Sequence, residues 1–112
     1  MPYGLALEAL ADPTRRAIFE RLRHRAYTVG ELAEYVNIRQ PTASQHLQAL
    51  RRARLVRDTR EGTRRYYRAS REGLASLRRY VESLWDDVLD AYAADDPDRP
   101  ALRRKSGRTG AR

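Results

Sequence analysis

A chain of 112 residues with 23 lysines and arginines against 15 aspartates and glutamates carries a formal charge of +8; that is room for one small domain, and its charge balance points to a polyanionic partner. The absence of cysteine excludes a disulfide framework, a thiolate nucleophile, a Cys-ligated zinc or iron-sulfur site and thiol redox sensing. Apolar stretches fall far short of the ~18 residues a membrane span needs, and the N-terminus lacks a basic segment ahead of an apolar one, so a soluble, unexported, cytoplasmic protein is expected, without a membrane partner.

In chain order, Leu5, Leu7 and Leu10 predict a short apolar helix over Tyr3 to Ala11. Asp12-Pro13 then reads as an N-cap followed by a first-turn proline, opening a second helix that turns Ile18 and Leu22 inward. Thr28-Val29-Gly30-Glu31 is a capping box for a third helix with Leu32, Ala33 and Val36 on its inner face. Asn37 tolerates the left-handed conformation that would end this helix, and Ile38 is apolar enough to tuck beneath the turn. Gln40-Pro41 restarts a helix whose inward positions are Ala43, Leu47 and Leu50. A helix, a tight turn and a second helix are the result.

After Leu55 the period changes to two. Leu55 to Arg60 and Thr63 to Ala69 are predicted as strands joined through Glu61-Gly62, a hairpin rich in arginine. Ser70 can cap a last helix reaching about Ala94, where Leu74, Leu77, Val81, Leu84, Val88 and Ala91 recur at the alternating three-and-four spacing of a coiled-coil seam. Such a helix is ~36 Å long at ~1.5 Å per residue, so its own core cannot cover the whole stripe. With 41% hydrophobic residues the core will be thin, and a second subunit would complete it. The expected interface comprises Leu5, Leu7, Leu74, Leu77, Val81, Leu84, Trp85 and Val88.

The charge is concentrated along the chain. Arg39 to Arg71 holds 10 basic and 2 acidic residues, whereas Glu82 to Asp98 has acids and no base. The predicted domain is therefore 1-94, followed by a disordered, mostly basic tail over 95-112. The fold expected is mainly α with a small β-hairpin, in the order α-α-α-α-β-β-α: a winged helix-turn-helix dimerising through its first and last helices. In that arrangement the second helix of the pair enters the major groove of double-stranded DNA and the hairpin follows the backbone.

Helical geometry directs Thr42, Gln45, Gln48, Ala49 and Arg52 outward, with Ser44, His46 and Arg51 on the flanks. Gln40, Thr42, Ser44 and Gln45 are the candidates for reading bases, since glutamine can meet adenine bidentately and threonine a thymine methyl; a phosphate contact at the helix N-terminus is the alternative for each. Gln48 and Arg52 extend this set. For His46 two roles stand open, a phosphate contact and a packing or capping role. In the hairpin Arg57, Arg60, Thr63, Arg64, Arg65 and Arg68 face phosphates or solvent, although alternate strand residues cannot all point one way. Of Tyr66 and Tyr67, Tyr67 is the one expected in the core.

Asp12-Pro13-Thr14-Arg15-Arg16, the run Thr28 to Val36, Gln40-Pro41-Thr42-Ala43-Ser44-Gln45-His46-Leu47 and Arg60-Glu61-Gly62-Thr63 before Tyr66-Tyr67 together resemble the ArsR/SmtB family of bacterial winged-helix repressors, over about Leu5 to Ala94. The resemblance implies a homodimer that binds a pseudo-palindromic operator and blocks transcription. Where metal-sensing members carry Cys-x-Cys on the third helix, this chain has Thr28 and Gly30. The zinc site on the last helix of other members needs histidine, and the only histidines here are His24 and His46. Trp85-Asp86-Asp87-Val88-Leu89 resembles a metal-independent branch, so no metal or cofactor is expected, and any small-molecule or protein inducer is unidentified. Glu82, Asp86 and Asp90, spaced four apart with Asp87 adjacent, have the donor type for a hard cation, but read better as a solvated face or as partners for Arg78 and Arg79 of a second subunit. Catalysis has no candidate nucleophile with its base and no phosphate loop. The competing function is a protein-interaction module with only nonspecific DNA affinity.

Overall fold

The junction between the first two helices is built by three side chains of one short motif. In this computed structural model, which describes residues 3–95, α1 (Gly4–Ala11) stops at Asp12, whose extended backbone starts α2 (Pro13–Arg21). The Asp12 carboxylate accepts from the Arg15 amide at 2.9 Å, and Pro13 occupies the first helical position, where a missing N–H costs nothing. Arg15 and Arg16 then reach back: Arg15 Nε donates to the Ala9 carbonyl and Arg16 to that of Leu10, each at 2.8 Å. These are carbonyls of α1's last turn, which has no helical partner for them.

The chain continues through α3 (Val29–Val36), α4 (Gln40–Arg52), β1 (Val56–Glu61), β2 (Arg64–Ala69) and α5 (Arg71–Asp95), in the predicted order. The Thr28–Glu31 capping box is formed in both directions. Asn37 takes φ 61°, and the Ile38 amide reaches back to the Ala33 carbonyl at 2.9 Å. That closes a Schellman turn with Ile38 packed against the core.

A second turn of the same kind ends α4, and nothing in its residue types announced it. Its left-handed residue is Arg54, φ 61°; the Leu55 amide donates to the Leu50 carbonyl at 3.0 Å. Leu55 is consequently a buried core residue ahead of the hairpin rather than its first strand residue.

The hairpin register pairs Val56 with Ala69 and Glu61 with Arg64. The two linking residues are thus Gly62 and Thr63, one position later than the predicted Glu61-Gly62. Gly62 has φ 66° and Thr63 is not among the positive-φ residues, the pattern of a type II′ turn, which needs glycine at its first central position. An element without a strong sequence signal adds to the sheet: Tyr27, ahead of α3, bridges to Tyr67 through amide-to-carbonyl bonds of 3.0 and 2.8 Å.

Ser70 caps α5, its hydroxyl accepting from the Glu72 amide at 3.4 Å. α5 includes Asp95, one residue into the expected tail, and residues 96–112 of that tail lie outside the described residues. Two compact units divide the chain, Met1–Arg79 and Tyr80–Arg112. The core belongs to the first: Ile18 and Phe19 of α2 with Leu22 at its C-cap, Leu32 of α3, Leu47 and Leu50 of α4, with Leu55 and Val56. Among the described residues, five of the thirteen buried apolar ones are alanines, so the core is thin, as composition implied. Among the described residues no helix is long and apolar enough to cross a membrane.

Candidate nucleic-acid interface

α4 presents its two faces as its period requires. Ala43, Leu47 and Leu50 are buried, while Thr42, Gln45, Gln48 and Arg52 are exposed along one outer face; Ser44, His46 and Ala49 are half-buried at its edges. Arg39 offers no side-chain cap, and Pro41 has no N–H. The first turn therefore keeps uncapped amides and the positive end of the helix dipole at the surface, a setting that suits an anion.

Two predicted members have other neighbours. The Gln40 amide lies along the start of α3, where a Cβ on Gly30 would stand 3.2 Å from its Nε2. His46 Nδ1 lies 4.0 Å from an Asp12 carboxylate oxygen, tying α4 to the cap of α2. Of the two roles left open for His46, this geometry favours packing. The Asp12 carboxyl is held below its ordinary value, chiefly by the hydrogen bond from the Arg15 amide; partial burial opposes this, and the charges of Arg15 and His46 reinforce it.

Cross-strand pairs share a face of the hairpin, so its register sorts the arginines. Arg60 and Arg65 lie on the face of Val56, Asp58, Tyr67 and Ala69, the side that packs on the core; Arg57, Arg64 and Arg68 lie on the opposite face with Thr59 and Tyr66. Thr63 is exposed at the tip. Tyr67 is the tyrosine packed against the core.

Asp58 and Arg51 escaped the sequence reading as a pair. Asp58 Oδ1 lies 3.2 Å from Arg51 Nε of α4, and its Oδ2 lies 3.4 Å from Arg65 Nε of β2. The available signal was its setting, since Asp58 is one of two acids in the basic block. Elsewhere, guanidinium groups sit over aromatic rings, Arg25 at 3.8 Å from Tyr27 and Arg21 at 4.1 Å from Tyr35.

Of the residues expected to line an interface, Leu5, Leu7 and Leu74 are exposed in the first unit, whereas Leu77 is half-buried against that unit's own core. In the second, Val81 and Leu84 are exposed, and Trp85 and Val88 retain 64% and 65% of their accessible surface. Among the described residues no group of three or more His, Asp or Glu is placed to hold a metal ion.

Residues 10–59 match the helix-turn-helix domain family HTH_20. The HTH-type transcriptional regulator Rv2034 of Mycobacterium tuberculosis is 50% identical over 88 residues, spanning 79% of this chain and 82% of that protein. The solution structure of a homodimeric winged helix-turn-helix DNA-binding domain from Mycobacterium bovis, described as a possible ArsR-family regulator, matches with a TM-score of 0.62 at 34% identity, covering 80% of this chain and 83% of that one. This chain belongs to the ArsR/SmtB family of winged helix-turn-helix transcriptional regulators. The Bacillus subtilis transcriptional repressor SdpR is similar as well, 42% identical over 60 residues, or 54% of this chain and 67% of that protein. In ArsR/SmtB terms α3 and α4 are the helix-turn-helix and β1 and β2 the wing. The Asp12 to Arg16 motif, part of the original resemblance, joins α1 to α2.

Proposed function

We propose that the protein is a cytoplasmic homodimeric repressor that reads a pseudo-palindromic operator, acts by occupying DNA rather than by catalysis, and regulates its own gene. The observation carrying this reading is the outer face of α4. Thr42, Gln45, Gln48 and Arg52 stand exposed on a helix whose other face is locked into the core, which is what insertion into a major groove requires. Ser44 flanks that face and Gln40 stands at the start of the helix; the wing's backbone contacts are drawn from Thr63 at the tip and from Arg57 and Arg64 on one face and Arg60 and Arg65 on the other. The domain reaches to the end of α5 at about residue 95, and the residues after it are read as a mostly basic tail.

Dimerisation through α1 and α5 is supported by exposed apolar side chains on each: Leu5 and Leu7 on the first, and Leu74, Val81, Leu84, Trp85 and Val88 on the second. Surfaces of this kind are costly to leave in water. Two reading helices related by a two-fold axis would meet half-sites ~34 Å apart. The homodimeric Mycobacterium bovis domain and the repressor SdpR support assembly and sign of regulation respectively.

Fluorescence anisotropy tests the proposal, comparing the duplex upstream of the protein's own gene with a scrambled duplex, under competitor DNA at physiological salt. Preference for the upstream duplex is expected. Binding that ignores sequence and vanishes as salt rises would replace this reading with that of an interaction module.

A further inference from the structure

Asp58 is in an unfavourable place for a protein that needs only affinity for phosphate. It is one of two acids between Arg39 and Arg71, a stretch holding ten arginines, and a carboxylate near a phosphate backbone repels it. Yet its side chain is only 17% exposed, and its two oxygens are committed to two different elements, Arg51 of α4 at 3.2 Å and Arg65 of β2 at 3.4 Å. Its position on β1 is also fixed by the pleat: Val56 on the same face is buried, and the cross-strand neighbour Tyr67 packs on the core. One carboxylate thus joins the flank of the reading helix to the wing.

We infer that Asp58 is a specificity-determining positioning residue, acting through Arg51 and Arg65 to restrain nonspecific DNA binding and to fix the wing relative to α4. The inference rests on the interface reading above. Nonspecific binding grows with each positive charge free to displace counterions from phosphates, whereas specific binding depends on register between helix, wing and groove. By pairing with two guanidinium groups, Asp58 leaves the three residues with a net charge of about +1 rather than +2. It holds the same groups where an operator would meet them. Any duplex benefits from free arginines, but only the operator benefits from arginines in fixed places.

The test uses the full chain, a duplex selected from a random pool by the wild-type protein, and a scrambled duplex, each titrated across salt concentrations. Asp58→Asn keeps the size and removes the charge. It should bind the scrambled duplex about threefold to tenfold more tightly, steepen the plot of log affinity against log salt by about one unit, and lower the ratio of selected to scrambled affinity. Loss of affinity for the selected duplex with an unchanged salt slope would identify a merely structural role and overturn the inference.

A second comparison holds even if Asp58→Asn folds poorly. Arg65, already engaged by Asp58, should reduce the salt slope less when changed to Gln than Arg64 does; equal reductions would overturn the inference. If the wild-type protein itself shows no preference for any selected duplex, the interface reading fails and the inference fails with it. Wild-type preference with an unaltered slope and ratio in Asp58→Asn sinks the inference alone.

Discussion

The amide of Gly73 donates to the carbonyl of Arg54 at 2.8 Å, and a Cβ on Gly73 would stand 2.4 Å from the carbonyl oxygen of Ala53. α5 therefore starts against the turn that ends α4, at a distance only glycine permits. Replacing glycine by alanine within a helix ordinarily stabilises by about 1 kcal/mol. Here Gly73→Ala should do the opposite and cost about 1–3 kcal/mol, because backbone has to shift to accept the methyl group. Urea denaturation decides the sign, and a stabilised variant would contradict the close approach.

Asp12 links stability to pH. Its folded-state carboxyl lies below the ordinary value, so its contribution is fully present above the unfolded value of about 3.9 and is lost as pH falls through the folded one. Asp12→Ala should cost about 1 kcal/mol at pH 7 through loss of the cap. The gap between wild type and variant should narrow below about pH 4. Asp12→Asn should keep most of the cap at neutral pH and show a flatter acid limb, as read from denaturant melts between pH 3 and 7.

Gln45 and Arg64 test the division of labour between helix and wing. Gln45→Ala should cost about 1–3 kcal/mol at particular base pairs and leave scrambled DNA nearly unaffected. Arg64→Ala should weaken all duplexes and reduce the salt slope by about one unit. Equal loss on selected and scrambled DNA for Gln45→Ala would remove it from the reading set.

Leu84 tests the assembly. A charge there, as in Leu84→Glu, should produce monomers by analytical ultracentrifugation that bind operator poorly, since a single reading helix meets a single half-site. A wild-type protein that sediments as a monomer at micromolar concentration would contradict the proposed dimer.

Local chemistry was legible in residue order. Asp12-Pro13, the Thr28–Glu31 box, Asn37 and the inward spacing of Ala43, Leu47 and Leu50 involve residues at most seven positions apart. Each therefore follows from short-range sterics and hydrogen bonding that residue types encode. These features set the helix-turn-helix and the outer face of α4, whereas the family rests on the resemblance of several separated motifs and on the relatives that match.

Features that depended on distant segments were decided by the fold. Which residues turn the hairpin was settled by where Gly62 could take positive φ while Val56 and Tyr67 stayed on the core side. Arg54 adopts a left-handed conformation that an arginine does not advertise, held by the packing of Leu55 and the approach of Gly73. The Tyr27–Tyr67 bridge, and the choice of Arg51 and Arg65 as partners for Asp58, follow the same rule. A residue type states what a group can bind, but the tertiary structure selects among many arginines by bringing only two within reach of that carboxylate.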